Sequence, residues 1–423
     1  MTRKYDIIRI NKDGGISVHW NKCFNMIMEI KREYEERYKD GILNVEHWVE
    51  RLNNEKYIDF LAPLQLNHYK EYVLVRYGLA EMQRGMWTDP ESVYRHCRST
   101  VIDLKNGELV LHPFTKFFNL NEVEETSLDN VINKLKTAKV IEIANKLDGS
   151  LFSARYYRGE IFTSTSMALD EENSWRLADA KRMLKESKEI QKLILKYPEY
   201  TFVFEYISLK DPHVVIYKEY DEGLYLIGIT DMNTGRELNY AEIINLAREY
   251  GVKSTEIEDI KFEDLLVKSK EIRAHEKEGW VVNIDGHRFK IKGDDYVNIH
   301  RILDRISSVN VIIEALADDK YDDLISKIPF AYRGRVEKIA DKIMDWKVEM
   351  ETNIEKYFNE APKGDKKEFM IWVNGIDKKY QHYVRCKYLG EEYNLLRNKN
   401  AGYRKAKDIF GMTADELMSE AST

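Results

Sequence analysis

The alternation of apolar and polar residues changes character at about residue 305. Before that point, short apolar runs bounded by Gly, Asn, Asp and Ser are typical of β-strands. After it, apolar residues recur at steps of three and four, which predicts amphipathic helices. The clearest helical set is Val336, Ile339, Ile343, Trp346, Met350, Ile354 and Tyr357. The pattern therefore predicts an α+β chain, with antiparallel sheet first and a mainly helical C-terminal domain after it.

Glycine-containing dipeptides place the turns of three predicted hairpins. Asn106-Gly107, Arg158-Gly159 and Asp285-Gly286 each separate two strand-like runs, and such pairs favour two-residue turns. Helices are predicted within residues 26–38 and 171–197, and a first strand at residues 5–10. We therefore divide the chain into residues 1–70, an extension packed on or leading into the next domain, a strand-rich domain at 71–305 and a helical domain at 306–423.

Lys146 stands between two predicted strands, at residues 140–144 and 151–157, where the first, read as buried, gives way to the turn Leu147-Asp148-Gly149. This position predicts a lysine at a strand end, facing a cleft. A free amine can attack phosphorus, but the ordinary lysine pKa of roughly 10.4 keeps it protonated. We therefore expect burial or neighbouring cations to lower the pKa of Lys146. Gly149 would let the backbone approach a ligand closely.

Charged residues in two other strands add to this pattern. Glu205 alternates with Phe204 and Tyr206, so it projects from the opposite face of its strand and needs a partner unless that strand is a solvated edge. Lys290 and Lys292 lie two apart and project from one face. With Glu278 at the start of the other hairpin arm, they suggest a phosphate or metal site, or else a structural ladder of ion pairs.

Composition narrows the class of protein. The hydrophobic content of 43% is that of a globular chain. No apolar run approaches the length of a membrane span, and the start lacks a signal-peptide core, so we expect a cytoplasmic protein without a membrane partner. Cys23, Cys97 and Cys386 lack CxxC spacing, which argues against a zinc site or a disulfide framework. The net charge of -7 means that any nucleic acid must bind through local basic patches.

One such patch lies between residues 363 and 407, where Lys and Arg outnumber Asp and Glu. Aromatic residues are interleaved with these charges: Phe369, Trp372, Tyr380, Tyr383, Tyr388, Tyr393 and Tyr403. Basic and aromatic side chains together can bind RNA through phosphates and stacked bases. The same pattern also describes a solvated helix face over an aromatic core, so both interpretations stay open.

Taken in order, these motifs resemble those of the covalent nucleotidyltransferases, and most closely the type-1 RNA ligases of T-even bacteriophages. The motifs are Lys146-Leu147-Asp148-Gly149-Ser150, Phe204-Glu205-Tyr206, Tyr225, Glu278-Gly279-Trp280-Val281 and Lys290-Ile291-Lys292. Lys116-Phe117-Phe118-Asn119-Leu120 before them and Tyr296 after them make the resemblance specific. It covers residues 70–300 well and the helical part only loosely.

The resemblance implies an ATP-dependent RNA ligase that uses magnesium, with manganese as the alternative metal. Lys146 would become lysyl-AMP, and AMP would pass to a 5′-phosphate RNA end that a 3′-hydroxyl then seals. The implied substrates are single-stranded RNA or broken tRNA ends in RNA repair, and the implied setting is a monomer in the cytoplasm of a phage host.

The resemblance also implies individual roles. Lys290 and Lys292 would hold phosphates, Glu205 would contact ribose, Tyr225 would stack on adenine and Glu278 would bind metal. Tyr77, Arg98 and Lys116 match further nucleotide-contacting positions, and Tyr296 matches a tyrosine linked to ligation. Asp319 matches a metal-binding aspartate, in competition with Asp322 and Asp323. Thr165 lies where such ligases can carry a basic ATP contact, so that role is not transferred.

Two other classes compete with this interpretation. DNA ligases and capping enzymes share the lysine motif but follow it with a β-barrel, which would appear as short alternating strands after Lys292. The pattern there predicts helices instead. A non-catalytic RNA-binding protein would have no reason to keep Lys146, Glu278, Lys290 and Lys292 together.

Overall fold

The structure is a computed structural model that describes residues 19–37, 46–49, 64–77, 88–306, 309–326, 328, 330–398, 402–413 and 417. The strand predicted at residues 5–10 lies outside these residues. The chain forms two compact units, Met1–Tyr296 and Val297–Thr423. The first combines antiparallel sheets with helices and the described part of the second is helical, which confirms the α+β class.

The first unit contains twelve strands and six complete helices in its described part. The strands are Leu64–Tyr69 (β1), Tyr72–Tyr77 (β2), Arg98–Asp103 (β3), Glu108–Leu111 (β4), Phe118–Asn119 (β5), Ile141–Lys146 (β6), Ser150–Tyr157 (β7), Glu160–Thr165 (β8), Tyr200–Ile207 (β9), Gly223–Asp231 (β10), Gly279–Ile284 (β11) and His287–Lys292 (β12). The helices are Lys22–Arg37 (α1), Leu128–Leu135 (α2), Trp175–Glu186 (α3), Lys188–Lys196 (α4), Tyr240–Tyr250 (α5) and Phe262–Glu271 (α6). Another helix, Asp294–Ile306 (α7), begins at the end of this unit.

These strands form three four-stranded sheets, ordered β1-β2-β3-β4, β10-β9-β7-β8 and β5-β12-β11-β6. All neighbours pair antiparallel except β5 and β12. Helix α1 packs on the first sheet, where Cys23, Ile27 and Ile30 join one apolar core with Val73 and Val75. Helices α3, α4 and α5 cover the second sheet. Residues of the N-terminal part therefore belong to the same core as β2.

Two of the three predicted hairpin turns are confirmed. Arg158-Gly159 and Asp285-Gly286 join directly paired strand ends, and all four residues have positive φ, as a type I′ turn requires. The hairpin at Asn106-Gly107 is also present, but its predicted two-residue turn was wrong, because β3 pairs with β4 through Asp103 and Glu108 and the loop has four residues. The Asp103 carboxylate accepts bonds from the backbone and side chain of Asn106, which stabilises the longer turn.

The strand before Lys146 also differs from its prediction. It begins at Ile141 rather than Val140, and Val140 and Ile141 are 41% and 48% exposed. The reason is that β6 lies at the edge of its sheet, where β11 is the one strand beside it and the other side meets only a short bridge at Ile257. Glu142 on this strand is buried and accepts the backbone N–H groups of Tyr240 and Ala241, so it caps the start of α5. The edge strand is thus tied to the helix behind it.

Two histidines lie next to each other close to where α1 meets the first sheet. His112 is fully buried, and its Nδ1 lies 2.9 Å from Thr100 Oγ1, while Nε2 has no partner among the described residues. His96 stacks on it at 5.6 Å, and the Trp20 ring meets His112 edge-on at 5.3 Å. Burial holds the pKa of His112 well below its ordinary value and lowers that of His96 to about 4. Both rings are therefore neutral in the folded protein.

We expect these rings to make the first unit sensitive to acid. A depressed folded-state pKa gives stability that is complete above the unfolded pKa of about 6.5 and is lost as pH falls through the folded value. The free energy of unfolding should drop by about 2 kcal/mol per histidine between pH 7 and pH 5. Urea unfolding at both values tests this, with His112→Gln as the comparison. An equal drop in the variant would contradict it, since glutamine cannot take up the proton.

The second unit is built around one long helix. Its helices are Val309–Ala317 (α8), Tyr321–Ser326 (α9), Phe330–Glu360 (α10), Lys366–Gly375 (α11), Lys378–Leu389 (α12) and Ala406–Phe410 (α13). The first half of α10 packs on α8 through Ile339 and Ile343, and its second half packs on α11 and α12 through Met350 and Ile354. The helical period predicted for residues 336–357 is confirmed.

The aromatic residues of this unit lie mostly in its core. Phe369, Tyr380 and Tyr383 are buried, and Tyr388 stacks on Phe369 with ring centroids 3.8 Å apart. These rings have protein neighbours on their faces, so stacking on RNA bases would compete with the fold. Of the two interpretations left open by the sequence, the structure favours the second, in which charged helix faces cover an aromatic core.

Candidate active site

Lys146 lies where the chain passes from the third sheet to the second. It is the last residue of β6, and the turn Leu147–Gly149 leads directly into β7. A Cβ on Gly149 would lie 2.4 Å from the backbone oxygen of Tyr206, so glycine is required here by the close approach of β9. From the sequence we expected Gly149 to allow a close approach to a ligand, whereas its close neighbour in the structure is the backbone of β9. The turn thus places Lys146 between two sheets.

Two lysines and one glutamate meet across the third sheet. Gly279 of β11 is paired with Lys146 on one side and Lys292 on the other, so both lysines project from the same face. Glu278 precedes this glycine, and its side chain is 3% exposed. Its Oε2 accepts Lys146 Nζ at 2.5 Å and its Oε1 lies 2.9 Å from Lys292 Nζ. One buried carboxylate therefore bridges two cations.

The expected lowering of the Lys146 pKa was wrong. Burial lowers it, but the carboxylates of Glu278 and Glu205 outweigh burial and raise the pKa above the ordinary value. Burial alone would raise the pKa of Glu278, but the ammonium groups of Lys146 and Lys292 outweigh burial and hold this pKa below its ordinary value. Lys146 is therefore an ammonium ion in this state of the protein. Deprotonation must come with a change in its surroundings, such as the arrival of an anion that engages the other cations.

Glu205 has the partner that its apolar strand required. Its Oε1 accepts the backbone N–H of Gly149 at 2.9 Å, so it supports the turn that carries Lys146. Burial raises the pKa of Glu205 to about 7, with Lys146 opposing and Glu278 adding to this effect. Tyr225 pairs with Glu205 across β9 and β10 and faces the same way. Its hydroxyl donates to the backbone oxygen of Asp221, and Lys253 Nζ lies 5.1 Å from its ring centre.

A group of cations converges beside Lys146 from three separate segments. The Lys290 amine lies 5.0 Å from the Phe117 ring, and the Arg98 guanidinium lies 4.9 Å from the same ring. Lys116 Nζ lies 5.1 Å from the ring of Tyr77. Burial, followed by the charges of Arg98, Lys146, Lys116 and Lys292, lowers the pKa of Lys290 well below its ordinary value.

This crowding of like charges costs stability unless an anion is present. Nη1 of Arg98 is buried and has no partner among the described residues, which is unusual for a charged donor. Lys290 likewise has no carboxylate partner of its own in the described part of the chain. Donors of this kind, presented together, fit the oxygens of a polyphosphate. The predicted residues Tyr77, Arg98, Lys116, Lys290 and Lys292 are therefore brought together on the Lys146 side of the unit.

Asp148 is a central residue that the sequence did not assign. It is 4% exposed, and its Oδ2 accepts the backbone N–H groups of Val214 and Val215, each at 2.9 Å. Its Oδ1 accepts the hydroxyl of Tyr296 at 2.8 Å. The turn, the loop after β9 and the start of α7 are therefore tied to one carboxylate. The aspartate was visible in the lysine motif, but nothing in the sequence of Val214 and Val215 identified them as its partners.

A second buried network adjoins Asp148. Asp211 accepts the hydroxyl of Ser150 at 2.6 Å and the Nε of Arg176 at 2.9 Å. His213 lies between the two aspartates, with Nε2 3.4 Å from Asp211 Oδ2 and Nδ1 3.9 Å from Asp148 Oδ1. Neither Asp211 nor His213 belongs to a motif. The Asp211-Pro212-His213 sequence, after an apolar strand, was the signal available for a polar loop beside the cleft.

The predicted metal ligands belong to different units of the chain. Both oxygens of Glu278 face lysines, and Asp319 is an exposed turn residue after α8, in the second unit. Asp322 and Asp323 lie in the first turn of α9. No group of three or more His, Cys, Asp or Glu side chains could hold a metal among the described residues. A magnesium ion beside Glu278 would take most of its ligands from nucleotide phosphates, with Glu278 as its one carboxylate.

Two further sequence expectations concern cysteines and membranes. Cys23, Cys97 and Cys386 are buried, and none of the three takes part in a disulfide. None of the helices in the described part of the chain combines the length and the hydropathy that a membrane span needs.

Comparison with known proteins shows that residues 96–296 are similar to RNA ligases. The family model described as RNA ligase matches this segment. A protein of Autographa californica nuclear polyhedrosis virus, provisionally named a bifunctional polynucleotide kinase/RNA ligase, is 24% identical over 280 residues, which are 63% of this chain and 39% of that protein. The resemblance drawn from the motifs is confirmed for the segment that carries them.

Solved RNA ligases of Naegleria gruberi are also similar. The ligase with PPi is 18% identical with a TM-score of 0.34, over 44% of this chain and 57% of that one. A mutant of the same ligase with ATP and Mn is 19% identical with a TM-score of 0.32, over 41% and 55%. The chain thus spans less than two thirds of the length of these relatives.

Proposed function

We propose that this protein is an ATP-dependent RNA ligase that joins 5′-phosphate and 3′-hydroxyl ends through lysyl-AMP and adenylylated RNA. The observation that carries the proposal is the meeting of Lys146, Lys292 and Glu278 across one sheet, beside Lys290 and Arg98, which have no carboxylate partner in the described part of the chain. The RNA ligase family match over residues 96–296 supports the choice of RNA.

In the first step, the neutral amine of Lys146 attacks the α-phosphorus of ATP. A nitrogen–phosphorus bond forms, the bond from phosphorus to pyrophosphate breaks, and the amine loses its proton. Lys290, Lys292, Arg98 and Lys116 stabilise the charge that develops on the phosphates. These cations also offset the field of Glu278 and Glu205, which holds the proton on Lys146 beforehand.

The remaining steps transfer AMP and close the strand. The 5′-phosphate of the RNA takes AMP from Lys146, which regains its amine, and a 3′-hydroxyl then displaces AMP to form the phosphodiester. Glu205 and Tyr225, facing the same way beside the lysine turn, would hold ribose and adenine. Tyr296, bonded to Asp148, would act in ligation. Magnesium or manganese, held by the phosphates and Glu278, would neutralise phosphate charge.

The proposed activity also suggests a biological role. A chain that seals such ends would serve RNA or tRNA repair, with single-stranded or broken tRNA substrates, as a monomer in the cytoplasm of a bacteriophage host. The competing DNA ligase or capping-type interpretation predicts a β-barrel after Lys292. The described residues of Val297–Thr423 form helices and contain no strand longer than an isolated bridge.

Radiolabelled nucleotide distinguishes these classes directly. The purified protein is incubated with magnesium and either ATP or GTP, each labelled at the α-phosphate. We expect label on the protein from ATP alone, and its discharge when 5′-phosphorylated RNA is added. Label from GTP would indicate a capping-type enzyme, discharge by nicked DNA alone would indicate a DNA ligase, and an unlabelled protein would favour a non-catalytic RNA-binding role.

The second unit would select the RNA through charge rather than through its buried aromatic residues. We expect simultaneous replacement of Lys378, Lys379, Arg385 and Lys387 by glutamine to weaken RNA binding and to leave covalent AMP formation intact. For every RNA phosphate that no longer meets a cation, the slope of log affinity against log salt should fall by about 0.7. The slope is measured by filter binding of a single-stranded RNA across a salt series.

A matched control replaces four exposed lysines of the first unit by glutamine. These lysines lie on α3 and α4 and are Lys185, Lys188, Lys192 and Lys196. The control should leave the slope unchanged, because the net charge falls equally while the proposed surface stays intact. Three of the test residues already have protein partners, since Lys379 faces Glu349, Lys387 faces Glu355 and Arg385 bonds to Asn374. Equal slopes in both variants would make this patch an ordinary solvated surface.

A further inference from the structure

His213 has an imidazole ring that lies between two buried carboxylates. On one side it faces Asp148, which holds the lysine turn, and on the other it faces Asp211, at the distances given above. Its side chain is 30% exposed, whereas both aspartate side chains are 5% exposed. The ring is also 3.5 Å from the hydroxyl of Ser150, the residue after the turn. His213 therefore lies beside Asp148 and Ser150, two residues that directly follow Lys146 in the chain.

The surrounding charges favour a protonated ring. Burial lowers the pKa of His213, but Asp211, Asp148 and Glu205 outweigh burial and raise the pKa above its ordinary value. The cations facing this group from other elements are Arg176 of α3, which binds Asp211, and Lys146 itself. The Tyr217 hydroxyl accepts the backbone N–H of Asp148, and the Tyr296 hydroxyl donates to the Asp148 carboxylate. Neither tyrosine adds a charge.

The proposed first step changes this balance. When Lys146 becomes lysyl-AMP, its nitrogen is no longer charged, and the attached phosphate brings an anion. The site therefore loses a cation and gains a negative charge beside Asp148, Glu205 and Glu278. A buried carboxylate that loses its counter-charge is strongly destabilised. Asp148 must nevertheless keep its bonds to Val214, Val215 and Tyr296 if the turn is to stay in place.

We propose that His213 is a positioning residue whose protonated ring keeps Asp148 ionised and bonded while Lys146 carries AMP. The inference rests on the proposed function and adds to it a residue outside the ligase motifs. His213 acts through Asp148 and does not touch the nucleotide. Loss of the ring charge would loosen the turn at the stage when Lys146 can no longer balance Asp148.

The test compares the rate of AMP attachment in His213→Asn with that of the unchanged protein from pH 6 to pH 10. Dividing one rate by the other removes the pH dependence that both proteins share through Lys146. We expect the variant to be tenfold slower or more at pH 6, and the two rates to converge at high pH, where the unchanged ring has lost its proton. His213→Lys, which keeps a cation, should restore most of the rate at pH 6.

One control variant and the pH dependence of the rate ratio separate this role from a structural one. His275→Asn removes a more exposed imidazole, 41% exposed, which pairs with Glu276 on its own segment, and should change nothing. A ratio for His213→Asn that stays constant across pH would overturn the inference while leaving the proposed function intact. The absence of label in the unchanged protein would instead overturn the proposed function itself, and the inference with it.

A second measurement covers the case in which the variants do not fold. The His213 ring of the unchanged protein is titrated by NMR before and after AMP attachment. We expect its pKa to rise on attachment, because a cation has left and an anion has arrived. A pKa that stays the same or falls would overturn the inference.

Discussion

Replacement of Lys146 by alanine will leave a folded protein that forms no covalent bond with AMP. The amine is the nucleophile of the proposed first step, and the neighbouring Lys292 is held on the other oxygen of Glu278. Because a positioned nucleophile cannot be replaced by one pointing elsewhere, the loss of label should be complete. Lys292 still balances Glu278 in the variant, so the fold should survive. Label is measured after denaturing electrophoresis, and folding by circular dichroism.

Lys277→Ala is the matched control for this variant. Lys277 is also largely buried, with a side chain 18% exposed, and it is also paired with a glutamate, Glu258. It therefore reproduces the loss of a buried ion pair without touching the lysine turn. We expect Lys277→Ala to be less stable and to attach AMP normally. Normal labelling of Lys146→Ala would refute the assignment of the site.

Replacement of Lys290 by methionine should slow AMP attachment a hundredfold or more and should not lower the melting temperature. Methionine keeps an apolar stem of similar length, so packing against Phe117 is largely preserved. The lost charge stabilised the phosphates in the transition state, which is worth roughly 3 kcal/mol. Without nucleotide, however, that charge is repelled by Arg98, Lys146, Lys116 and Lys292. Removing the charge of Lys290 should therefore remove this repulsion from the folded protein, so the melting temperature should not fall.

Lys292→Met should give the same loss of rate with the opposite effect on stability. Lys292 shares Glu278 with Lys146, so its removal leaves a buried carboxylate with one cation instead of two. We expect this variant to melt earlier than Lys290→Met. The measurements are single-turnover labelling and thermal unfolding without ATP. Normal labelling by both variants, together with early melting of Lys290→Met, would show that the lysines hold the hairpin and do not act on phosphate.

Sequence alone determined the features that depend on local periodicity. The alternation of side chains along a strand is fixed by the backbone, so Lys290 and Lys292 had to share a face, and Glu205 had to oppose Phe204 and Tyr206. Two hairpin turns followed from residues that tolerate positive φ. The order of the motifs identified the segment that the RNA ligase family model matches. These inferences needed only near neighbours in the chain.

The tertiary structure decided what depends on residues far apart in sequence. The pKa of Lys146 was predicted to fall and instead rises, because Glu278 lies 132 residues away in the chain and yet 2.5 Å away in space. Asp148 found its partners at Val214, Val215 and Tyr296, and the aromatic residues of α11 and α12 turned inward to form a core. Electrostatic interactions and burial sum over every neighbour in space, and a linear pattern cannot specify those neighbours until the sheets have packed.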